Sequence, residues 1–432
     1  MLSYADRAIL APAFGYEGLH YQAPSPWIQG TVIALIITGT ALTPARLRHP
    51  SDGVLYILLP LSVIPVLLVA ATDVIFADVK DSLIASVSGA YLVLAACSRI
   101  PRTPPGTRAP RARRQPWILV AILSVACYGL MFATFGVHFH LPSFRDVYSV
   151  RAVFSDQEPG ALGYLISWQA SVINPLLIAW GLHYRRWLLA SARVGGELLI
   201  YSTAGFKSVL FTVVAVTTFL LAMRQGNPRR APAAGTRTAF AFAVLAAVAA
   251  AVDTWQGGIG WTSLLIRRLS LGPGINTGYY YSYFSTAPKT HLAYGTTGWL
   301  LGETPVTSPT AQIAGAVLHG AVAVPNANLW ADAYANFGTA EVIASAFLLA
   351  AFLWFYDRAA RNASRAIATV LIAVPSLSLA NSALRTCLLT YGMLLALLLV
   401  TRLPDPLTAA RRSGGGCTAS PSSRLTRMPS RR

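Results

Sequence analysis

The sequence predicts an all-α, polytopic membrane protein of about 11 transmembrane helices, with one long external loop between the eighth and ninth. Three observations carry this. Hydrophobic residues make up 54% of the 432-residue chain and charged residues only 12%, about half the charge content of an ordinary water-facing protein. The apolar residues come in runs of about 16–21, long enough to cross a hydrocarbon core as helices. The charged residues, finally, concentrate in alternate connections between those runs.

In order, the apolar runs lie near 27–43, 54–71, 83–98, 117–137, 161–181, 187–203, 208–223, 238–255, 338–356, 366–381 and 386–401. The first 26 residues show no basic stretch followed by an apolar core, so no cleavable signal peptide is expected and the first run starts insertion. The connections 44–53, 99–116, 182–187, 224–237 and 357–365, with the tail 402–432, hold 24 arginines against three acidic residues. The opposite set holds nine Lys or Arg against twelve Asp or Glu. Positive charge marks the cytoplasmic side, which puts the N-terminus outside and the C-terminus inside. The net charge of +18 is then a topology signal, and no nucleic-acid partner is expected.

The Arg- and Pro-rich segments 99–116 and 224–237 cannot bury a core and read as solvated loops. The tail 402–432 reads as a disordered basic segment on the cytoplasmic side. Residues 1–401 form a single transmembrane domain. Cys97, Cys127, Cys387 and Cys417 fall in spans or on the cytoplasmic side and show no CxxC spacing, so neither an external disulfide nor a metal site is expected.

Two external connections stand apart, 138–160 and 256–337. The second is far longer than a connection requires, and long structured loops usually carry function. External arginine runs against the topology bias, so Arg145, Arg151, Arg267 and Arg268 need a reason. Their planar forks of donors suit phosphate oxygens; pairing of Arg145 and Arg151 with Asp146 and Asp156, or contact of Arg267 and Arg268 with membrane lipid, is the plainer alternative. Gly272, Gly274 and Gly278 would let backbone approach a ligand. Tyr279, Tyr280, Tyr281 and Tyr283 offer aromatic faces to sugar rings or to the membrane interface.

The rest of the polar set in the long loop is Lys289, His291, His319, Asn328, Asp332 and Asn336. His291 is a general-base candidate, and Asp332 is a second, although it could equally cap the following span. Within the spans, Arg193 and Glu197 lie four residues apart on one helix face. They read as a mutually neutralising pair or as a polar contact beneath a cavity. Lys207, at a break between two spans, is either a surface residue of a tight turn or aimed at an anionic headgroup.

Together these residues resemble the oligosaccharide repeat-unit polymerases, the Wzy-type O-antigen polymerases of bacterial envelopes. The likeness lies in VYSVR (147–151) before a span, GFKS (205–208) between two spans, Arg267 followed after ten residues by Gly278, and WADAYANFG (330–338) leading into a late span. It covers residues 120–400. The Arg-to-Gly spacing is not repeated after Arg145 or Arg151, where Asp156 and Leu162 stand. The resemblance implies an inner-membrane glycosyltransferase that needs no cofactor or metal. Its substrate would be an undecaprenyl-pyrophosphate-linked oligosaccharide, and a flippase and a chain-length regulator are its expected partners.

On that reading Arg267, Arg268, His291 and Asp332 carry the chemistry. Arg145, Arg151, Lys207, Gly278, Tyr280, Tyr281, Lys289 and Asn328 bind the substrate. Two alternatives stay open. A ligase or a sugar transferase using a polyprenyl-phosphate donor would draw on Asp73, Asp78 and Asp81 in the first external loop. A lipid-linked oligosaccharide flippase would draw on charge inside the bundle.

Overall fold

Prolines mark where three helices of this bundle widen by one residue per turn. The computed structural model describes residues 7, 11–15, 20–100, 116–136, 147–157, 160–223, 233–295, 298, 302, 306–317 and 325–403. Helices dominate, and no strand occurs among the described residues, only one isolated bridge between Tyr21 and Asp73.

Among the described residues, six helices are long and apolar enough to cross a membrane. We label them in chain order with the others: α1 (Pro26–Leu42), α2 (Asp52–Thr72), α3 (Lys80–Ser98), α4 (Trp117–Phe135), α5 (Val147–Gln157), α6 (Gly160–His183), α7 (Trp187–Ala204), α8 (Lys207–Ala222), α9 (Ala234–Gln256), α10 (260–286), α11 (Pro309–Ala316), α12 (Leu329–Phe337), α13 (Thr339–Ala359), α14 (Arg365–Ala380), α15 (Leu384–Leu389) and α16 (Met393–Val400). The six are α2, α3, α4, α6, α9 and α13, while α1, most of α8, α14 and the α15–α16 pair are shorter apolar helices. The chain is an all-α membrane-embedded protein.

Among the labelled helices, three contain a wide turn, at Leu59–Val63 in α2, Gln169–Ile173 in α6 and Ser263–Leu271 in α10. Each ends two residues before a proline: Pro65, Pro175 and Pro273. Proline has no N–H and its ring pushes away the carbonyl four residues back, so the residue just before it reaches one residue further. Ile64, Asn174 and Gly272 accordingly donate to the carbonyls of Leu59, Gln169 and Arg267. Such turns expose carbonyls inside a bundle, and here two of them, in α2 and α10, pack against each other.

Helix α10 fills the first part of the connection 256–337, where the sequence shows no apolar run. It runs along α2 with Pro273, Gly274, Ile275 and the stretch from Thr277 to Tyr281 buried. Glycine permits the approach: a Cβ at Gly274 would lie 2.7 Å from the Pro65 carbonyl oxygen. Its Gly-, Ser-, Asn- and Tyr-rich sequence has little apolar content, so hydropathy conceals a helix that close packing stabilises.

Side-chain contacts tie the helix ends together at one pole. There Arg99 donates to the carbonyls of Leu42 and Ala41, Arg237 to Ala222 at 3.0 Å and Arg365 to Leu47 at 3.5 Å. The Ser51 N–H and hydroxyl both donate to Asp357, at 2.9 and 2.5 Å. The opposite pole holds Tyr294, Asp332, Asn336 and Arg385.

Candidate functional site

That second pole is built around α12. Asn328 starts the helix by accepting hydrogen bonds from the N–H groups of Trp330 and Ala331, at 3.0 and 2.9 Å. Gly338, at φ +71°, separates it from α13. Every residue from Leu329 to Asn336 is buried, so Asp332 is a carboxylate inside protein.

Asp332 is only 7% exposed, and a charge taken from water needs compensation. The Arg385 guanidinium, from α15, lies 3.3 Å from Oδ1. The Tyr294 hydroxyl donates a short hydrogen bond to the same oxygen. Asn336, one turn along α12, donates to Oδ2 at 3.3 Å and to the Asp332 carbonyl at 2.8 Å. Arg385 also sits over the Tyr294 ring, 4.3 Å from its centroid. Burial pushes the Asp332 carboxyl above the usual carboxylate range, opposed in part by Arg385 and Tyr294. The Tyr294 hydroxyl is raised by burial and by the Asp332 charge.

Asn336 also shapes the connection 287–295. Its Oδ1 accepts from the Thr290 hydroxyl and the Leu292 N–H, both at 2.9 Å. His291 and Leu292 both have positive φ, +47° and +63°, which costs a non-glycine residue about 1–2 kcal/mol each. Strain of this kind persists where the surroundings over-determine it, and here it delivers Tyr294 to Asp332.

Lys289 completes the charge set. Its Nζ donates to the Phe284 carbonyl at 2.8 Å and lies 3.7 Å from the centroid of the Tyr334 ring. Burial lowers its ammonium to about 8. Glu341, in the first turn of α13, is within electrostatic reach of Asp332 and Arg385, and its Oε2 is buried without a hydrogen-bond partner. Asp332, Glu341 and Arg385 thus meet at one helix junction, with Lys289 packed beside Gly338 and Tyr334 of the same junction.

No known protein family, curated protein or solved structure matches the chain.

The structure separates residues that the sequence groups together. Arg267 lies in the wide turn of α10, over the Phe14 ring at 3.9 Å and bonded to Ser263 at 3.1 Å. It is 14 residues before Tyr281, which stacks on Tyr334 at 3.7 Å. At the helical rise this places the arginine pair about 21 Å along the helix from that contact. Arg268 is exposed. His291 is exposed too, with its ring edge-on to Phe337 and no hydrogen bond to Asp332.

Several expected ligand contacts are instead packing contacts. Tyr280 and Tyr281 are fully buried, with hydroxyls on Thr310 and Ser86 at 2.8 and 2.6 Å, so neither ring is open to a sugar. Gly278 makes room for Phe76, whose ring a Cβ would meet at 2.6 Å. Asn328 is occupied as a cap and by Thr277 at 2.7 Å. Arg193 and Glu197 form no ion pair, because the Glu197 carboxyl turns into the bundle near Asn174.

Arg151 does lie toward this pole, over the Phe206 ring at 5.0 Å and within electrostatic range of Tyr391. Lys207 is the first residue of α8. Arg145, His319 and the segment 137–146 lie outside the described residues, as do 318–324 and 404–432. Of the alternative acids, Asp73 is buried and caps the turn Val74–Phe76, whereas Asp78 and Asp81 are exposed.

Arg385, Tyr294 and Glu341 are the site residues that sequence reasoning passes over. The available signal was Arg385, a lone arginine in the apolar run SALRTCLLTY, since a charge so placed costs free energy and needs a use.

Proposed function

We propose that the protein is a membrane glycosyltransferase that polymerises lipid-diphosphate-linked oligosaccharide repeat units, with its centre at Asp332. The single observation that carries this is a buried carboxylate paired with Arg385 and held by Tyr294 and Asn336, at the pole away from the arginine-rich helix ends. In this reading the eleven apolar runs all span a bacterial inner membrane. The arginine-rich pole then faces the cytoplasm and the Asp332 pole faces outward.

The chemistry follows from the charges. An acceptor sugar hydroxyl attacks the anomeric carbon of a donor glycan. The bond from that carbon to the diphosphate oxygen breaks, and the electron pair leaves with the lipid diphosphate. The hydroxyl proton passes to Asp332, whose burial makes it a stronger base than an exposed carboxylate. Arg385 and Lys289 stabilise the charge that develops on the leaving diphosphate. Tyr294 and Asn336 hold the carboxylate in place.

The test is conversion of a purified lipid-diphosphate-linked repeat unit into a ladder of longer products by the full chain in lipid nanodiscs. Wild-type protein produces the ladder, and Asp332→Asn leaves the single unit unextended. A ladder of undiminished length and rate from Asp332→Asn overturns the assignment.

A further inference from the structure

Four polar side chains, distinct from those around Asp332, meet inside the bundle at the wide turn of α6. Gln169 opens that turn and Asn174 follows it; both are 0% exposed. Gln169 Nε2 donates to Asn174 Oδ1 at 2.7 Å, and Asn174 Nδ2 donates to the Tyr128 hydroxyl of α4 at 3.1 Å. Glu197 of α7 is also 0% exposed. Asn174 is near enough to act on its carboxyl, yet neither carboxyl oxygen has a hydrogen bond of acceptable geometry, nor does Gln169 Oε1. Gly196, beside Glu197, keeps α7 close: a Cβ there would meet the Tyr128 hydroxyl at 2.3 Å and Asn174 Nδ2 at 3.5 Å.

Counting donors against acceptors shows what is missing. The amide groups and the phenol bond to one another through three of their five donors, and three buried acceptor oxygens, both of Glu197 and Oε1 of Gln169, have no hydrogen bond. A carboxylate anion among surplus acceptors is doubly unfavourable, for its charge and for its unmade bonds. One proton repairs both, by removing the charge and turning an acceptor into a donor.

The charged and titratable groups facing Glu197 do not supply that compensation. Cys127 and Tyr128 come from α4, and Tyr201 lies one turn on along α7. Of α5, Arg151 sits over Phe206 past the end of α7 and Asp156 is exposed. Arg193, one turn back on α7, is only half-buried and not in ion-pair contact with Glu197. The facing part of α6 offers only amides, and α8 beyond Lys207 carries no titratable residue.

We propose that Glu197, Asn174, Gln169 and Tyr128 form a buried proton-binding site in the middle of the bundle. The proton comes from hydronium in the aqueous phase and resides on a Glu197 oxygen, which donates it to an amide oxygen of Asn174 or Gln169. The site loses this proton only by turning the carboxylate toward Arg193. It is separate from the Asp332 centre and stands whether or not that centre transfers sugars.

Infrared spectroscopy of the full chain in nanodiscs tests this at neutral pH. Wild-type protein shows a protonated-carboxyl carbonyl band that Glu197→Gln loses and Arg193→Gln retains. Tyr128→Phe shifts the band, because it removes the phenol that anchors Asn174. Exchange of choline chloride for sodium chloride leaves the band unchanged. Identical wild-type and Glu197→Gln spectra mean an ionised carboxylate and overturn the proposal, as does displacement of the band by sodium. If Glu197→Gln yields no folded protein, an unshifted band in Tyr128→Phe overturns it.

Discussion

Asp332 and Glu197 are both carboxylic residues buried in the same bundle, and their surroundings differ in one respect. Asp332 meets a guanidinium at 3.3 Å, a phenol and an amide. Glu197 meets only an amide and has no cation in contact. An acid placed with a cation can stay ionised and still be a base, whereas an acid placed among acceptors is best kept neutral. The difference arises from chain layout: Asp332 sits near a helix junction where the connection 287–295 and α15 bring in side chains, and Glu197 sits mid-helix where only neighbouring helix faces reach.

The largest effect that would break this comparison is on turnover. Asp332→Asn keeps the shape and removes the base, so chain growth should fall on the order of 10²-fold or more. Folding, read by detergent-resistant thermal unfolding, should change little. The next effect is on stability. Arg385→Met leaves Asp332 charged and unpaired, which should cost about 2–3 kcal/mol, below the value for a fully buried pair because Arg385 is partly exposed. Combining it with Asp332→Asn should recover most of that stability and none of the activity. If Arg385→Met is as stable as wild type, the ion pair does not hold this junction together.

Much of the fold is legible in the sequence. Ten of the eleven apolar runs each coincide with one helix and the last is split between α15 and α16, because apolar residues announce themselves by length and composition. The wide turns were partly legible, since Pro65, Pro175 and Pro273 mark them. Helix α10 was not, because its burial depends on glycine and on the backbone of α2 and leaves no hydropathy signal. The site was half legible. Asp332, Lys289 and Asn336 stand out as polar residues in an apolar chain. Their partners Tyr294 and Arg385 arrive from 38 and 53 residues away, by a contact that spacing alone does not encode. Arginine is conspicuous in any membrane sequence, which drew weight to Arg267 and Arg268 although their position is remote from the carboxylate.

The pH profile sharpens the comparison further. Asp332 must be ionised to act as base, so activity falls as acidity rises through a carboxyl value above the ordinary range. Lys289 must be charged, so activity falls again as pH rises through about 8. Lys289→Arg should move that alkaline limb upward, because guanidinium stays charged. A limb that does not move assigns it to another group. Packing beneath the site gives a smaller effect. Gly278→Ala drives a methyl into the Phe76 ring and should destabilise the protein by about 1–3 kcal/mol, with activity per folded molecule unchanged. A loss of specific activity there would reinstate Gly278 as a ligand contact.

The smallest effects should come from the arginines of α10, and they decide between two readings of the pole. If diphosphate is held at Asp332, then Arg267→Ala costs mainly the Phe14 and Ser263 contacts. A cation–aromatic contact of this kind contributes about 0.5–1 kcal/mol at a partly exposed position, which caps the change in rate below about tenfold. Arg268→Ala, at an exposed position, should do less. If either substitution instead abolishes the ladder while Asp332→Asn leaves it intact, the reacting diphosphate sits on α10. The junction of α12 and α13 would then be a structural ion pair that happens to be buried.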